Sequence, residues 1–251
     1  MGRLFITGDC HGSQYKIRYV IDQIDNPQTD DFIIIAGDAG FEYEECIMKW
    51  TKKEATKTPC KWIVLRGNHD SCYWKKHVKE GTNKPEDGWD IAYMNGGAFL
   101  YQNKYPNIFY LPDDGCIYNI NGYNILFIPG AYSVDKYNRL RKNYPWNPNE
   151  QLDDISRQNL KQLVCQWFES GFDIDFIVSH TAPYRIQKYF VDLFLPGVNQ
   201  STVDNSMEYW LNDIHAICGD NIPWYFGHYH DDRNINDQFT MLFHDVIEIK
   251  E

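Results

Sequence analysis

The hydrophobic positions of this chain fall into short apolar runs alternating with segments of helical period, and several runs stop abruptly at glycine and polar residues. Leu4-Phe5-Ile6 is the first run. Residues 13–24 then carry Ile17, Val20, Ile21 and Ile24, the spacing of one helix face, before Asn26-Pro27 ends the pattern. Phe32-Ile33-Ile34-Ile35-Ala36 is continuous and mostly β-branched, as strands buried on both faces of a parallel sheet are. A helix is predicted over 42–56, and Trp62-Ile63-Val64-Leu65 forms the third strand. Two successive right-handed crossovers put the carboxyl ends of three parallel strands along one rim, where open α/β sheets bind ligands.

From about 75 to 149 the pattern loosens into a loop-rich insertion, dense in Gly, Asn, Pro and aromatic residues. Short strands are predicted at 108–111, 116–119 and 124–128, paired antiparallel in a second sheet. A long basic and aromatic loop follows at 132–146. Residues 152–169 read as a helix with Leu152, Ile155, Leu160, Leu163, Val164, Trp167 and Phe168 on one broad face, closed by Gly171. Phe176-Ile177-Val178 and Trp224-Tyr225-Phe226 are strands, 206–217 a helix, and 240–243 with 246–249 a closing strand pair. No internal repeat interrupts this order, and 251 residues suit one domain.

Composition narrows the classes. At 43% hydrophobic residues the chain can bury a sizeable core, yet no apolar run approaches the ~18 residues of a membrane helix. Met1-Gly2-Arg3 leads straight into a strand without the apolar region of a secretory signal. Ile6 stands where a myristoylation motif needs Ser or Thr. Seven scattered cysteines without a Cys-x-x-Cys pair suggest reduced thiols and a cytoplasmic setting. A net charge of -11 argues against a surface that holds nucleic acid by phosphate neutralisation, leaving nucleic acid only as a possible substrate. Neither the oligomeric state nor a protein partner is indicated.

The chemistry sits where the strands stop. Asp9 and His11, two positions apart between Gly8 and Gly12, point the same way from an extended segment. Asp38 follows the second run, Asn68 and His69 the third, and His180 and His228/His230 the last two. Taken singly, each has a plain structural role: Asp38 as a helix N-cap, Asn68 as a turn residue, a histidine as a satisfied core group. Recurrence at five strand ends is what points to metal, and mixed Asp, His and Asn donors suit Mn, Fe or Zn better than Ca or soft-ligand metals.

Asp9-x-His11, Gly37-Asp38, Gly67-Asn68-His69-Asp70, His180 and Gly227-His228-x-His230 resemble, in order, the five signatures of the calcineurin-like metallophosphoesterases. The resemblance implies an α/β fold with a two-sheet β-sandwich flanked by helices, four layers deep, around a dinuclear centre. It implies that Asp9, His11 and His230 hold one divalent ion, Asn68, His180 and His228 the other, with Asp38 bridging and Mn the foremost metal. Two ions roughly 3.5–4 Å apart share and acidify a water for in-line attack on phosphorus. His69 then assists the leaving oxygen of a phosphate mono- or diester.

The Ser/Thr protein phosphatases in that family carry Asp-Arg-Gly after the second signature; here Gly40-Phe41-Glu42-Tyr43 stands instead, leaving open whether Glu42 partners His69. Arg66 is either a phosphate fork or an ion-paired strand-end residue. Arg139 and Arg141, with Lys136, Tyr132, Tyr137 and Trp146, are either a substrate lip suited to nucleotides or a solvated basic loop. A binding module that keeps the fold without turnover is the competing functional class. Cys10 points away from its two neighbours and is expected in the core.

Overall fold

The computed structural model describes residues 2–43, 45–94, 96–194 and 201–250, with the side chains of 45–48 and 191–194 outside the description. The chain runs β1 (Leu4–Thr7), α1 (Gln14–Asp22), β2 (Phe32–Ile35), α2 (Glu45–Ala55), β3 (Lys61–Val64) and α3 (Tyr73–His77). There follow β4 (Trp89–Met94), β5 (Gly97–Gln102), β6 (Ile108–Tyr110), β7 (Cys116–Ile120), β8 (Tyr123–Ile128), α4 (Lys136–Lys142) and α5 (Asp154–Glu169). The last part is β9 (Phe176–Ser179), α6 (Tyr184–Phe194), α7 (Ser206–Cys218), β10 (Trp224–Phe226), β11 (Arg233–Asn234), β12 (Phe239–Met241) and β13 (Val246–Ile249).

Among the described residues, one sheet has the order β13-β1-β2-β3-β6-β5-β4 and the other β11-β12-β10-β9-β8-β7. In each, four parallel strands form the middle and antiparallel strands close the edges. The continuous apolar run of β2 shows why. Ile34 packs between the sheets with Phe127 and Val178, whereas Ile33 and Ile35 face Ile17 and Val20 of α1. On the far side Ile177, Trp224 and Phe226 meet Leu160 and Val164 of α5 and Leu211 and Ile214 of α7. Helices, sheet, sheet, helices: the four-layer α/β sandwich expected from the sequence is the fold.

Several local expectations are corrected. Of the three strands expected to pair antiparallel in a second sheet, β7 and β8 do so, but β6 lies parallel to β3 in the first sheet, which β5 and β4 then extend. The β4–β5 hairpin escapes the sequence pattern because its faces are only part-buried and do not alternate cleanly. Segments 239–241 and 246–249 are not partners either. Asp232 accepts from the backbone N–H groups of Phe243, His244 and Asp245 and turns the chain across the sandwich, so that β13 covers the free edge of β1. In α5, Ile155 and Leu163 face solvent; Leu160 and Val164 make the buried stripe. Part of the 132–146 loop is the short helix α4. The helix expected at 42–56 is described from Glu45, and Glu44 lies outside the described residues.

The six described thiols are all free, and Cys10 is buried as expected; Cys46 lies outside the described side chains. Among the described residues no helix is long and apolar enough to cross a membrane.

Candidate metal centre

The five strand ends converge where the two sheets meet. The turn after β1 presents Asp9 and His11, then closes at once into α1, whose N-cap Ser13 accepts from Lys16 N–H. His11, Asp38, His228 and His230 all have positive φ (48°, 48°, 72° and 54°). The other described non-glycine residues of this kind are three asparagines, which adopt it readily. Left-handed backbone at four of seven donor residues is strain concentrated at a site.

Three glycines permit the approach. A Cβ on Gly37 would lie 2.0 Å from His180 Nδ1, one on Gly67 2.2 Å from Asp38 Oδ1, and one on Gly227 2.3 Å from Asp9 Oδ1. Each glycine thus makes room for a donor from another strand end.

The donors form two groups. Asp9 Oδ2 lies 3.4 Å from His11 Nε2 and 3.3 Å from His230 Nε2, and those two nitrogens are 2.8 Å apart. Asn68 Oδ1 lies 2.8 Å from His180 Nε2 and 3.1 Å from His228 Nδ1. Asp38 Oδ2 reaches toward both groups, 3.5 Å from His180 Nε2 and 4.0 Å from His11 Nδ1. Asp9, Asp38, Asn68 and His180 are all buried, His11 is part-buried and His230 is exposed.

These atoms fit divalent cations. Asp9 Oδ2 is buried without a hydrogen-bond partner. His180 Nδ1 sits 2.8 Å from the Ala36 carbonyl, which fixes a proton on Nδ1 and, in the neutral ring, aims the Nε2 lone pair at two oxygen acceptors. Lone pairs converging on carboxylate and amide oxygens need a positive charge among them. Without a metal, protons meet part of that need. Burial opposes charge on His180, but Asp38 raises its pKa to about 9. Asp38 itself, despite burial, is lowered to about 2 by His180. Burial likewise opposes the Asp9 carboxylate, yet His11 and His230 hold its pKa well below the usual range. Burial and the neighbouring His180 push His228 down to about 3.

His69 joins neither group. Its N–H donates to Asp38 Oδ1 (2.8 Å), and its ring lies beside that of His11. Asn68 Nδ2 and Arg139 Nη2 lie 3.3 and 3.4 Å from its Nε2. Both are donors, so Nε2 is the acceptor and the ring proton is assigned to Nδ1. Burial first, and then Arg139, lower its pKa against the pull of Asp38.

The remaining sequence candidates divide. Arg139 reaches the site, oriented by Asp135 Oδ2 at 2.7 Å. Arg141 does not; it bonds Asn138 at the surface. Tyr132 is buried and Trp146 carries Lys136 over its ring, so these two pack the loop, while Tyr137 stays exposed. Arg66 is corrected: buried, it donates to the carbonyls of Asn149, Glu150 and Asp113 and ties a strand end to a loop instead of offering a phosphate fork. Glu42 is not the partner of His69 either, since its carboxylate pairs with Lys52 and lies 3.7 and 3.9 Å from Lys76 and His77.

Three supporting residues have no sequence signature beyond their place in or near a motif. Asp70 accepts from Gly67 and Gly40 N–H and braces the turns that carry Asn68 and Asp38. Tyr229 and Thr181, each beside a ligand, share a hydrogen bond (2.7 Å), and Thr181 donates to the buried Glu208 of α7.

Among solved structures the fold is similar to a phosphopantetheinyl hydrolase from Mycobacterium tuberculosis (TM-score 0.51, 14% identity, 96% of this chain and 88% of that one). A protein of unknown function from Aquifex aeolicus aligns more loosely (TM-score 0.37, 12% identity, 72% of this chain and 81% of that one). No curated protein gives a significant sequence match. The sequence profile of the calcineurin-like phosphoesterases matches residues 2–232, a span that contains every donor named above, and the chain belongs to that family.

Proposed function

We propose that this chain is a two-metal phosphoesterase acting on phosphate mono- or diesters. The observation that carries the reading is the convergence of seven donors from five strand ends on two adjoining groups, with Asp38 lying toward both and Asp9 beside Asp38 and His180 as well as His11 and His230. Asp9, His11 and His230 would hold one divalent ion and Asn68, His180 and His228 the other. Bound there, such ions supply Lewis-acid polarisation of phosphoryl oxygens and lower the pKa of water. The oxygen- and imidazole-rich donor set favours Mn, with Fe or Zn as alternatives.

The chain's own residues do the rest. Arg139, steered by Asp135, is placed to meet an equatorial phosphoryl oxygen as a planar fork. Drawing Arg139 onto the substrate relieves His69 of its cationic neighbour and brings an anion close, and both changes favour protonation of the imidazole. His69 is then able to hand a proton to the leaving oxygen. The turns after β1 and β2 hold Asp9 and Asp38 rigidly, so little reorganisation accompanies charge development.

A nucleotide or nucleic-acid end is the second reading of the substrate. Tyr137 and Tyr144 are exposed beside Arg139, Arg141 and Lys142, and tyrosine faces next to cations stack planar bases.

Purified protein loaded with Mn is expected to hydrolyse an aryl monophosphate or a bis-aryl phosphate, and to lose that activity in chelator. Full activity after metal removal would overturn the reading. Metal uptake without turnover on any phosphoester would favour the binding module. The ratio of the two aryl rates separates monoesterase from diesterase. A panel of phosphopeptides, nucleotides, short DNA and a phosphopantetheinyl compound then narrows the substrate.

A further inference from the structure

The histidines of the site are held in unlike ways. His180 is buried and its Nδ1 sits on the Ala36 carbonyl, the support that a ligating imidazole commonly has. His230 is half exposed and meets Asp9 and His11 through Nε2, and among the described residues nothing hydrogen-bonds its Nδ1. Its ring is stacked instead on that of Phe243, with centroids 4.9 Å apart and planes inclined by 24°. Phe243 is in turn fixed from several sides. Its N–H donates to Asp232 Oδ1 at 2.7 Å, and the same carboxylate takes the N–H groups of His244 (2.8 Å) and Asp245 (2.9 Å), which shapes the turn after β12. Lys16 Nζ of α1 donates to the Phe243 carbonyl, and Thr7 Oγ1 of β1 to that of Asp245 at 2.9 Å. Gly8 lets this turn close on β1: a Cβ there would lie 2.0 Å from the Leu242 carbonyl oxygen.

We propose that Phe243 is a positioning residue that sets the plane of the His230 ring for the ion held by Asp9, His11 and His230. This rests on the two-metal reading above. His230 projects from left-handed backbone (φ 54°) with half its side chain in solvent, so no core around it selects a rotamer. A flat aromatic face does so, because only one ring plane both stacks on Phe243 and turns Nε2 toward Asp9. Thr7, Gly8 and Lys16 flank Asp9 and His11 in the chain, and all three meet the turn that carries Phe243. That turn therefore holds the three donors of one group in register with each other. The second group has its own support, at the Ala36 carbonyl behind His180. Phe243 also lies beyond residues 2–232, the span matched by the family profile, so this support is no part of the shared signatures.

Calorimetric Mn titration of wild type, Phe243→Ala, Phe243→Leu and Phe243→Tyr tests this, with electron paramagnetic resonance of the bound Mn and thermal melts in chelator to verify folding. Wild type is expected to take up two Mn and to give the exchange-coupled signal of a pair. In Phe243→Ala and Phe243→Leu one of the two affinities should fall about three- to tenfold, the weight of one aromatic pair. The other affinity should hold, and at limiting Mn the coupled signal should give way to that of an isolated ion. Phe243→Tyr, which keeps the ring face, should restore both affinities. A residue that merely shaped the turn would lower the melting temperature and leave the ratio of the two affinities unchanged.

Two Mn in wild type with unchanged affinities in folded Phe243→Ala and Phe243→Leu would overturn this inference alone, and so would a Phe243→Tyr protein as weak in Mn as Phe243→Ala. Fewer than two Mn in wild type would overturn the two-metal reading and this inference with it. If Phe243→Ala does not fold, Phe243→Leu decides, since it keeps the apolar bulk without the flat face, and unchanged affinities there overturn the inference.

Discussion

The floor of the site and the lip beside it are both polar, yet they are built in opposite ways. On the floor, Asp9, Asp38, Asn68 and His180 are at most 2% exposed; glycines close on Asp9, Asp38 and His180, and Asp38 sits on left-handed backbone. The lip, α4 and its flanks, contains a helix without one buried residue, and Val134, Tyr137, Leu140 and Tyr144 are each at least half exposed. In the proposed reaction, attack on phosphorus makes the same demands for any ester, and the rigid rims of two sheets suit groups with that task. The lip, proposed to meet the rest of a substrate, is a segment whose change disturbs no core. Arg139 is where the two meet, anchored in the lip and touching His69.

The largest effect expected from breaking the floor is at Asp38. Asp38→Ala removes the carboxylate proposed to bridge the two ions and should lower kcat/KM by at least about 10³-fold, some 4 kcal/mol of transition-state stabilisation. The apo protein should still fold but melt lower than wild type, because Asp38 pairs with the protonated His180 there. Melting curves with and without Mn check both parts: a lowered but cooperative apo transition that Mn no longer raises is expected. Mn stabilisation equal to wild type would show that Asp38 is not shared.

The contrast also accounts for what the sequence revealed. The convergence of the seven donor residues was legible because each follows an apolar run that has to be a strand, and the 29- and 30-residue intervals from Asp9 to Asp38 to Asn68 match one crossover each. The supports were not. Asp70 stood in a quoted motif without a role, and Thr181 and Glu208 gain theirs only when the turn after β9 meets α7. Helix α6 went unread since Tyr184 and Tyr189 lie off its buried face with Ile186 and Phe190, which blurs the period. The lip defeats periodicity altogether, for a helix with no buried face has none to show.

His69 should be next in size. His69→Ala removes the proton-transfer group while leaving seven donors in place, so kcat should fall about 10²–10⁴-fold with Mn stoichiometry unchanged. Substrates with good leaving groups need less protonation and should lose less. Equal losses on nitrophenyl and alkyl phosphates would contradict the assignment.

The acid–base state of the floor gives a third effect. In the metal-free protein His180 carries a proton up to about pH 9, whereas His228, at about 3, is already neutral. A metal takes only neutral imidazole, so binding below pH 9 releases the His180 proton, and Mn affinity should rise with pH by up to about tenfold per unit, levelling near 9. Calorimetry in buffers of different ionisation enthalpy counts that proton directly. An affinity flat from pH 7 to 9 would mean His180 is neutral before the metal arrives.

The smallest effects come from the lip, and the pair Arg139 and Arg141 sharpens the comparison most. Both are helical, cationic and two residues apart, but Arg139 reaches His69 and Asp135 while Arg141 bonds only Asn138 at the surface. Arg139→Ala should therefore cost about tenfold or more in kcat/KM without changing metal content, as loss of one charged hydrogen bond to a phosphoryl oxygen would. Arg141→Ala should stay within about twofold on a small aryl phosphate, since an exposed charge at that range is screened by solvent and salt. A loss at Arg141 confined to nucleotides would move it from bystander to substrate contact. Equal losses at both positions on the aryl ester would mean that general positive charge, not the reach of one guanidinium, is what the lip supplies.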